Sequence, residues 1–289
     1  MITNPNIILP QNSDLYHALN EAAQQQRIVL FAGLPGVGKS LYLQQLSLLA
    51  HENGRFLHSL QWDVSRLAFE VEAILSRYPE VDSITHPMIR KATGLWARQG
   101  VQQWHETHPD PRHMLVGEVP LVGNRLVELA QRRGDGVESL LASEQTEFFL
   151  PVPSREIRAL IEQARARTIA QPRHANEAYD APPHVLQINW RDIYELGEQI
   201  GLVATVPEGE IPYDPEVYTA VYAHLLQHRH LTVLPITERL KNGRSVYDLN
   251  IPTTKLQAAP AEAIALITHL ETTIGVAAVE RQVEGWYIV

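Results

Sequence analysis

Five consecutive apolar residues, Ile28 to Ala32, have the pattern of a strand buried on both faces of a parallel sheet. A glycine-rich turn follows, and Leu41 to Leu49 then takes helical spacing. Phe56 to Leu60 reads as a second strand ending at Trp62-Asp63, and Leu67, Val71, Ile74, Leu75 and Tyr78 predict a helix over 66–78. A further helix is expected from His86 to Trp104, interrupted or bent near Gly94 and Gly100. Met114-Leu115-Val116 is a short strand reaching Gly117-Glu118, with a helix expected over 124–132. Phe148 to Leu150 is a strand that Pro151 and Pro153 should break, and Ser154 is placed to cap a helix over 155–167. The polar, proline-rich stretch 168–184 reads as a mobile loop. Helices over 189–200 and 215–228, a strand from Leu231 to Ile236 and a last helix from Pro260 to Glu271 complete the pattern. Strands that alternate with helices, without hairpin signals, predict a parallel sheet covered on both faces.

Composition narrows the function. The 289 residues carry a formal net charge of −9, which argues against an electrostatic nucleic-acid binder. Cysteine is absent, so disulfides, thiolate metal sites and cysteine nucleophiles are excluded. No run approaches the ~18 apolar residues of a membrane helix, and the first residues lack the pattern of a signal peptide. A cytoplasmic protein without membrane segments is the expectation. Positive charge is uneven, with 20 Arg against 4 Lys, and residues 151–175 hold five Arg against two Glu.

The sharpest chemical signal is Gly33-Leu34-Pro35-Gly36-Val37-Gly38-Lys39-Ser40, followed by Leu41. It matches G-x-x-x-x-G-K-[ST] and lies between a buried strand and a helix, as a phosphate-binding loop must. Glycines let backbone N–H groups converge on phosphate oxygens, and the helix N-terminus adds partial positive charge. Lys39 can reach the β- and γ-phosphates, and the Ser40 hydroxyl can ligate Mg²⁺. The sequence therefore predicts a bound nucleoside triphosphate, with ATP and Mg²⁺ as cofactors.

Further segments carry candidate chemistry. Asp63, at the end of the second strand, can accept an acceptor's proton or simply cap the next helix, and Arg66 follows three residues later. Glu118 ends the third strand where a carboxylate can hold Mg²⁺ or its water, and either acid can serve as the base. Arg155, Arg158 and Arg165 share one face of the expected 155–167 helix, and guanidinium pairs bidentately with phosphate. Arg90, Arg98 and Arg125 are candidates for holding the acceptor, whereas Trp96 and Trp104 read more readily as core. The 13 His show no H-E-x-x-H spacing and read as surface or packing residues.

The Gly-x-Pro-Gly-x-Gly-Lys-Ser form resembles the phosphate loop of the nucleoside and nucleotide kinase-like group of P-loop proteins. That group includes adenylate kinase, adenylylsulfate kinase, uridine kinase and zeta-toxin-type kinases. The resemblance spans roughly residues 28–240 and is specific only at the loop. Met114 to Glu118 resembles a Walker B segment, departing from the commonest form in having Glu after Gly117. What the resemblance implies is an α/β, three-layer P-loop fold with a mostly parallel central sheet and an Arg-rich helical lid. It implies one domain over 1–289, with acceptor-binding helices about 63–105, lid and loop about 151–190, and a C-terminal helical extension about 240–289. The implied function is an ATP-dependent kinase acting on a hydroxyl or phosphate of a small molecule. The alternative is an ATPase or nucleotide switch acting on a protein partner.

Overall fold

The computed structural model describes residues 4–81, 84–171, 183–206, 208–240 and 251–289. The first half of the chain contains α1 (Asp14–Gln25), β1 (Ile28–Ala32), α2 (Lys39–Glu52), β2 (Phe56–Gln61), α3 (Trp62–Ser65), α4 (Glu72–Leu75), α5 (Pro87–Thr107) and β3 (His113–Val119). The second half contains α6 (Glu138–Leu141), β4 (Thr146–Pro153), α7 (Arg155–Ala170), α8 (Pro183–Gln199) and α9 (Pro215–Leu225). After these come β5 (Leu231–Ile236), β6 (Thr253–Lys255), α10 (Pro260–Thr273) and α11 (Val276–Glu284). The fold is α/β.

Among the described residues the six strands are all parallel, in the order β5-β4-β1-β3-β2-β6. Every residue of β1 is buried, because β3 and β4 flank it and helices cover both faces. Ile28 and Leu30 face a core built with α5, α9, α10 and α11, while Val29 and Phe31 face one built with α1, α2 and α7. This is a three-layer arrangement. The chain leaves β1 toward one side of the sheet for β2 and β3, then crosses to the other side for β4 and β5. The switch point of the sheet therefore lies at the carboxyl end of β1, the position at which α/β sheets form a crevice for ligands. No single helix among the described residues is long and apolar enough to cross a membrane.

Several local expectations change. The 66–78 segment is not one helix: α3 leads into a 3-10 turn over Arg66–Phe69, Val71 is extended, and α4 follows. Burial explains the break, since Phe69 and Ile74 are wholly buried while Leu67 is exposed. Helix α5 runs unbroken through both glycines; at Gly94 an added Cβ would lie 1.7 Å from Glu128 Oε2, so the glycine gives a buried carboxylate room. The expected 124–132 helix is only a 3-10 turn over Val127–Leu129. Left-handed Leu121, Asn124 and Leu126 precede and interrupt it.

Pro151 and Pro153 do not break β4. The N–H groups of Phe148 and Ser154 donate to His230 and Ile236 on the β5 side, so odd-numbered positions face the β1 side. Pairing with β1 stops at Phe149, so the prolines lack donors where there is no ladder to join. Beyond 240 the chain adds more than helix. Strand β6 extends the sheet beside β2, and α10 and α11 pack on α5. The start of the chain adds α1, capped by Ser13, whose Oγ accepts from the Tyr16 N–H at 3.1 Å.

Candidate functional site

The turn Gly33–Ser40 leaves the carboxyl end of β1 and opens α2. Gly38 is the N-cap of that helix at φ +93°, a left-handed position that disfavours any side chain. Gly33 is at φ +131°, and a Cβ there would lie 2.2 Å from the Tyr218 hydroxyl. That hydroxyl accepts from the Leu34 N–H at 3.3 Å, so wholly buried Tyr218 on α9 shapes the turn directly. Lys39 is buried, and its Nζ donates to the Leu34 carbonyl at 2.8 Å. The ammonium thus lies inside the curve of the turn. Pro35, Gly36 and Val37 complete the curve, with Val37 in the core and Leu41 following Ser40 on α2.

Sheet register brings the carboxylate to the turn. Glu118 of β3 pairs with Phe31 of β1 on one side and Gln61 of β2 on the other. The Ser40 hydroxyl donates to Glu118 Oε2 at 3.2 Å, and Gln61 Nε2 donates to Oε1 at 3.4 Å. A hydroxyl and a carboxylate side by side form the hard oxygen donor set that suits Mg²⁺. Gln61 carried no signal in the sequence; only pairing of β2 with β3 puts it here.

Helix α7 reaches the same turn. Ser154 caps it, its Oγ accepting from the Ile157 N–H at 3.3 Å. Arg158 is buried, donates through Nη1 to the Pro35 carbonyl at 2.9 Å and through Nε to Glu162 at 2.6 Å, and stacks over Tyr213. Arg155 points elsewhere, exposed and paired with Asp214 at 2.6 Å. Arg165 lies on α7, but its side chain falls outside the described residues. So do residues 172–182 of the expected loop.

On the other side of the crevice, Asp63 stands on α3 directly after β2, its side chain 85% exposed and 3.5 Å from Arg66. The caps of the three short helical pieces here are Gln61, Ser65 and Val71, so Asp63 caps none of them. Arg66 is also paired with Glu70 and lies 3.9 Å from Glu80. Arg125 is held by Asn189 of α8 at 3.0 Å, and burial lowers its pKa against the pull of Asp192 and Asp63. Arg90 donates to the Gly123 carbonyl at 2.7 Å; burial, and then repulsion from Arg125, lowers its pKa to about 10. Asp192 completes the group, its pKa raised by burial despite both arginines. Asn189, Asp192, Tyr218 and Tyr222 were missed in the sequence, because helical spacing does not say which turn a helix face will meet. Tyr222 donates to the Pro120 carbonyl at 2.8 Å and so steadies the strained segment that carries Arg125.

Arg98 does not join this group. It is buried against Asp135 and Glu138, with further bonds to the Glu128 and Gln131 carbonyls. Arg229, two residues before β5, shares Glu138 with it. This network lies toward the amino end of the strands, away from the glycine-rich turn. Trp96 and Trp104 are core residues.

No protein-family model matches the chain, and comparison with curated proteins and with solved structures also yields no match.

Proposed function

We propose that this protein is an ATP-dependent phosphotransferase of the P-loop type, moving a γ-phosphoryl group to a hydroxyl or phosphate on a small molecule. The observation that carries the reading is the Gly33–Ser40 turn at the carboxyl end of the central strand, with Ser40 3.2 Å from Glu118. Backbone N–H groups of the turn and the first turn of α2 would receive the phosphates. Lys39 would exchange its bond to Leu34 for the β- and γ-oxygens. Ser40 and Glu118 are the residues that fit Mg²⁺, whose contribution is neutralisation of charge on those oxygens.

The mixed-charge crevice favours a small acceptor. Arg125, Arg90, Arg66, Asp63 and Asp192 are close enough to influence one another electrostatically. Fixed guanidinium groups suit an anionic acceptor, and Asp63, exposed beside Arg66, would take a hydroxyl proton. Arg158 would stabilise charge on the moving phosphoryl group, and Arg155 can add to it only by leaving Asp214. Arg98 has no part in this scheme. Catalysis is then positioning plus electrostatics.

The test is ADP formation from ATP with and without a panel of nucleosides, sugars and phosphorylated metabolites. Acceptor-dependent turnover is expected. Acceptor-independent hydrolysis alone would replace this reading with that of an ATPase, and absence of nucleotide binding would overturn both. Asp63→Asn should abolish transfer while ATP still binds, whereas Glu118→Gln should chiefly raise the Mg²⁺ concentration needed. Reversed results would make Glu118 the base.

A further inference from the structure

Three histidines that look unrelated in the sequence meet near the amino ends of β2 and β3. His58 is the third residue of β2, His113 opens β3, and His108 follows the end of α5. One ring nitrogen from each lies within 4.8 Å of the other two, and His58 Nε2 is 2.8 Å from His113 Nδ1. We propose that His58, His108 and His113 form a binding site for a borderline divalent transition metal of the zinc class, separate from the glycine-rich turn.

The chemistry of the donors supports this choice. Neutral imidazole suits Zn²⁺ and its neighbours, while Mg²⁺ and Ca²⁺ prefer oxygen. Metal–nitrogen bonds of about 2.0–2.1 Å in a tetrahedral site put donor atoms about 3.3 Å apart. The His58–His113 pair therefore opens by about 0.5 Å, and His108 closes in by a rotation of its ring. The proton now shared by His58 and His113 moves to the far nitrogen of its own ring, a tautomer change that releases no proton.

The surroundings already orient one ligand. His108 Nδ1 lies 3.0 Å from the Trp104 carbonyl, and donation to that oxygen leaves Nε2 with its lone pair available. A carbonyl behind the second ring nitrogen is the usual support for a metal-binding histidine. Stacking alone would hold these rings against Trp104, 5.7 Å from His58 and 6.1 Å from His108, without turning a nitrogen of each toward a common point. His58 is buried, while His108 and His113 are half-buried, so three ligands would come from the protein and a fourth from solvent.

Arg27 opposes a cation here, and its charge must be weighed. Its guanidinium donates to the carbonyls of His108, Asp110 and His113 and lies over Trp104. It therefore fixes the segment that carries two of the ligands while lowering affinity by repulsion. Asp110, paired with Arg112 at 2.7 Å, restores part of the balance. An occupied site would clamp β2 to the α5–β3 connection and so brace α5, the helix that carries Arg90.

The test is a Co²⁺ titration of the full chain after EDTA treatment, followed by visible absorption. One equivalent should give the intense spectrum of a four- or five-coordinate site, and Zn²⁺ should displace it. His108→Gln and His113→Gln should each weaken Co²⁺ binding at least tenfold and remove the rise in melting temperature that Zn²⁺ gives the wild type. Nitrogen NMR of the unaltered protein checks this without any variant: the ring nitrogens of these three histidines should shift together on adding Zn²⁺. A spectrum of six-coordinate Co²⁺, full retention of the signal in both variants, or shifts confined to other histidines would overturn the proposal.

Discussion

Arg158 Nη1 donates to the Pro35 carbonyl at 2.9 Å, joining helix α7 to the glycine-rich turn across 123 residues of sequence. The contact makes the arginine helix part of the turn's own wall. Glu162 holds the same guanidinium from the other side, so its orientation is set before any ligand arrives.

Replacing Arg158 therefore separates charge from geometry. Arg158→Ala should slow phosphoryl transfer about 100-fold, the scale of removing a preorganised donor. Arg158→Lys should recover only part of this, because an ammonium lacks the planar fork. Single-turnover transfer, with ATP binding measured separately, checks both. Equal rates per folded molecule would make the contact structural only.

Gly33 and Tyr218 form a second long-range pair. Gly33→Ala places a methyl on the Tyr218 hydroxyl and forces a side chain into φ +131°, so it should cost about 3 kcal/mol or more and abolish nucleotide binding. Tyr218→Phe in the same chain removes the collision but leaves the backbone strain. Urea unfolding of both variants and the double variant should show partial rescue of stability.

The Arg98–Glu138–Arg229 network predicts a different phenotype. Glu138→Ala leaves two buried guanidinium groups short of a partner and should destabilise by about 3–5 kcal/mol. Surviving folded protein should keep the wild-type KM for nucleotide. A changed KM with unchanged stability would return Arg98 to the acceptor site.

His58 sets a pH window in metal-free buffer. Burial first, then His108, His113 and Arg27, lowers its pKa to about 4 from the ordinary 6.5. Asp110 faces the same cluster and partly offsets the cations at His113, whose own pKa burial lowers. Between these values the unfolded chain binds the extra proton, so the stability is fully present above about pH 6.5 and lost as pH falls toward 4. The loss is on the order of 2 kcal/mol. Denaturant titrations at several pH values should show this slope in the wild type and a flatter one in His58→Gln.

Local pattern revealed much of the frame. The five apolar residues of β1 need no partner to identify them, since only a strand covered on both faces is apolar at every position. β6 escaped because Thr253–Lys255 is an exposed edge strand with no apolar alternation to read. The spacing over 66–78 is helical, yet the core selects Phe69 over Leu67 and the helix breaks.

The alternation of strand and helix and the composition of the Gly33–Ser40 turn are legible along the chain. Both depend on neighbours a few residues apart. Tertiary packing alone brings Glu118 and Gln61 to Ser40, presses Tyr218 on Gly33, commits buried Arg98 to Asp135 and Glu138, and sets His58 against His108 and His113. Each of these relationships follows from sheet order and helix packing, which bring together residues tens to hundreds of positions apart. No local periodicity carries that information.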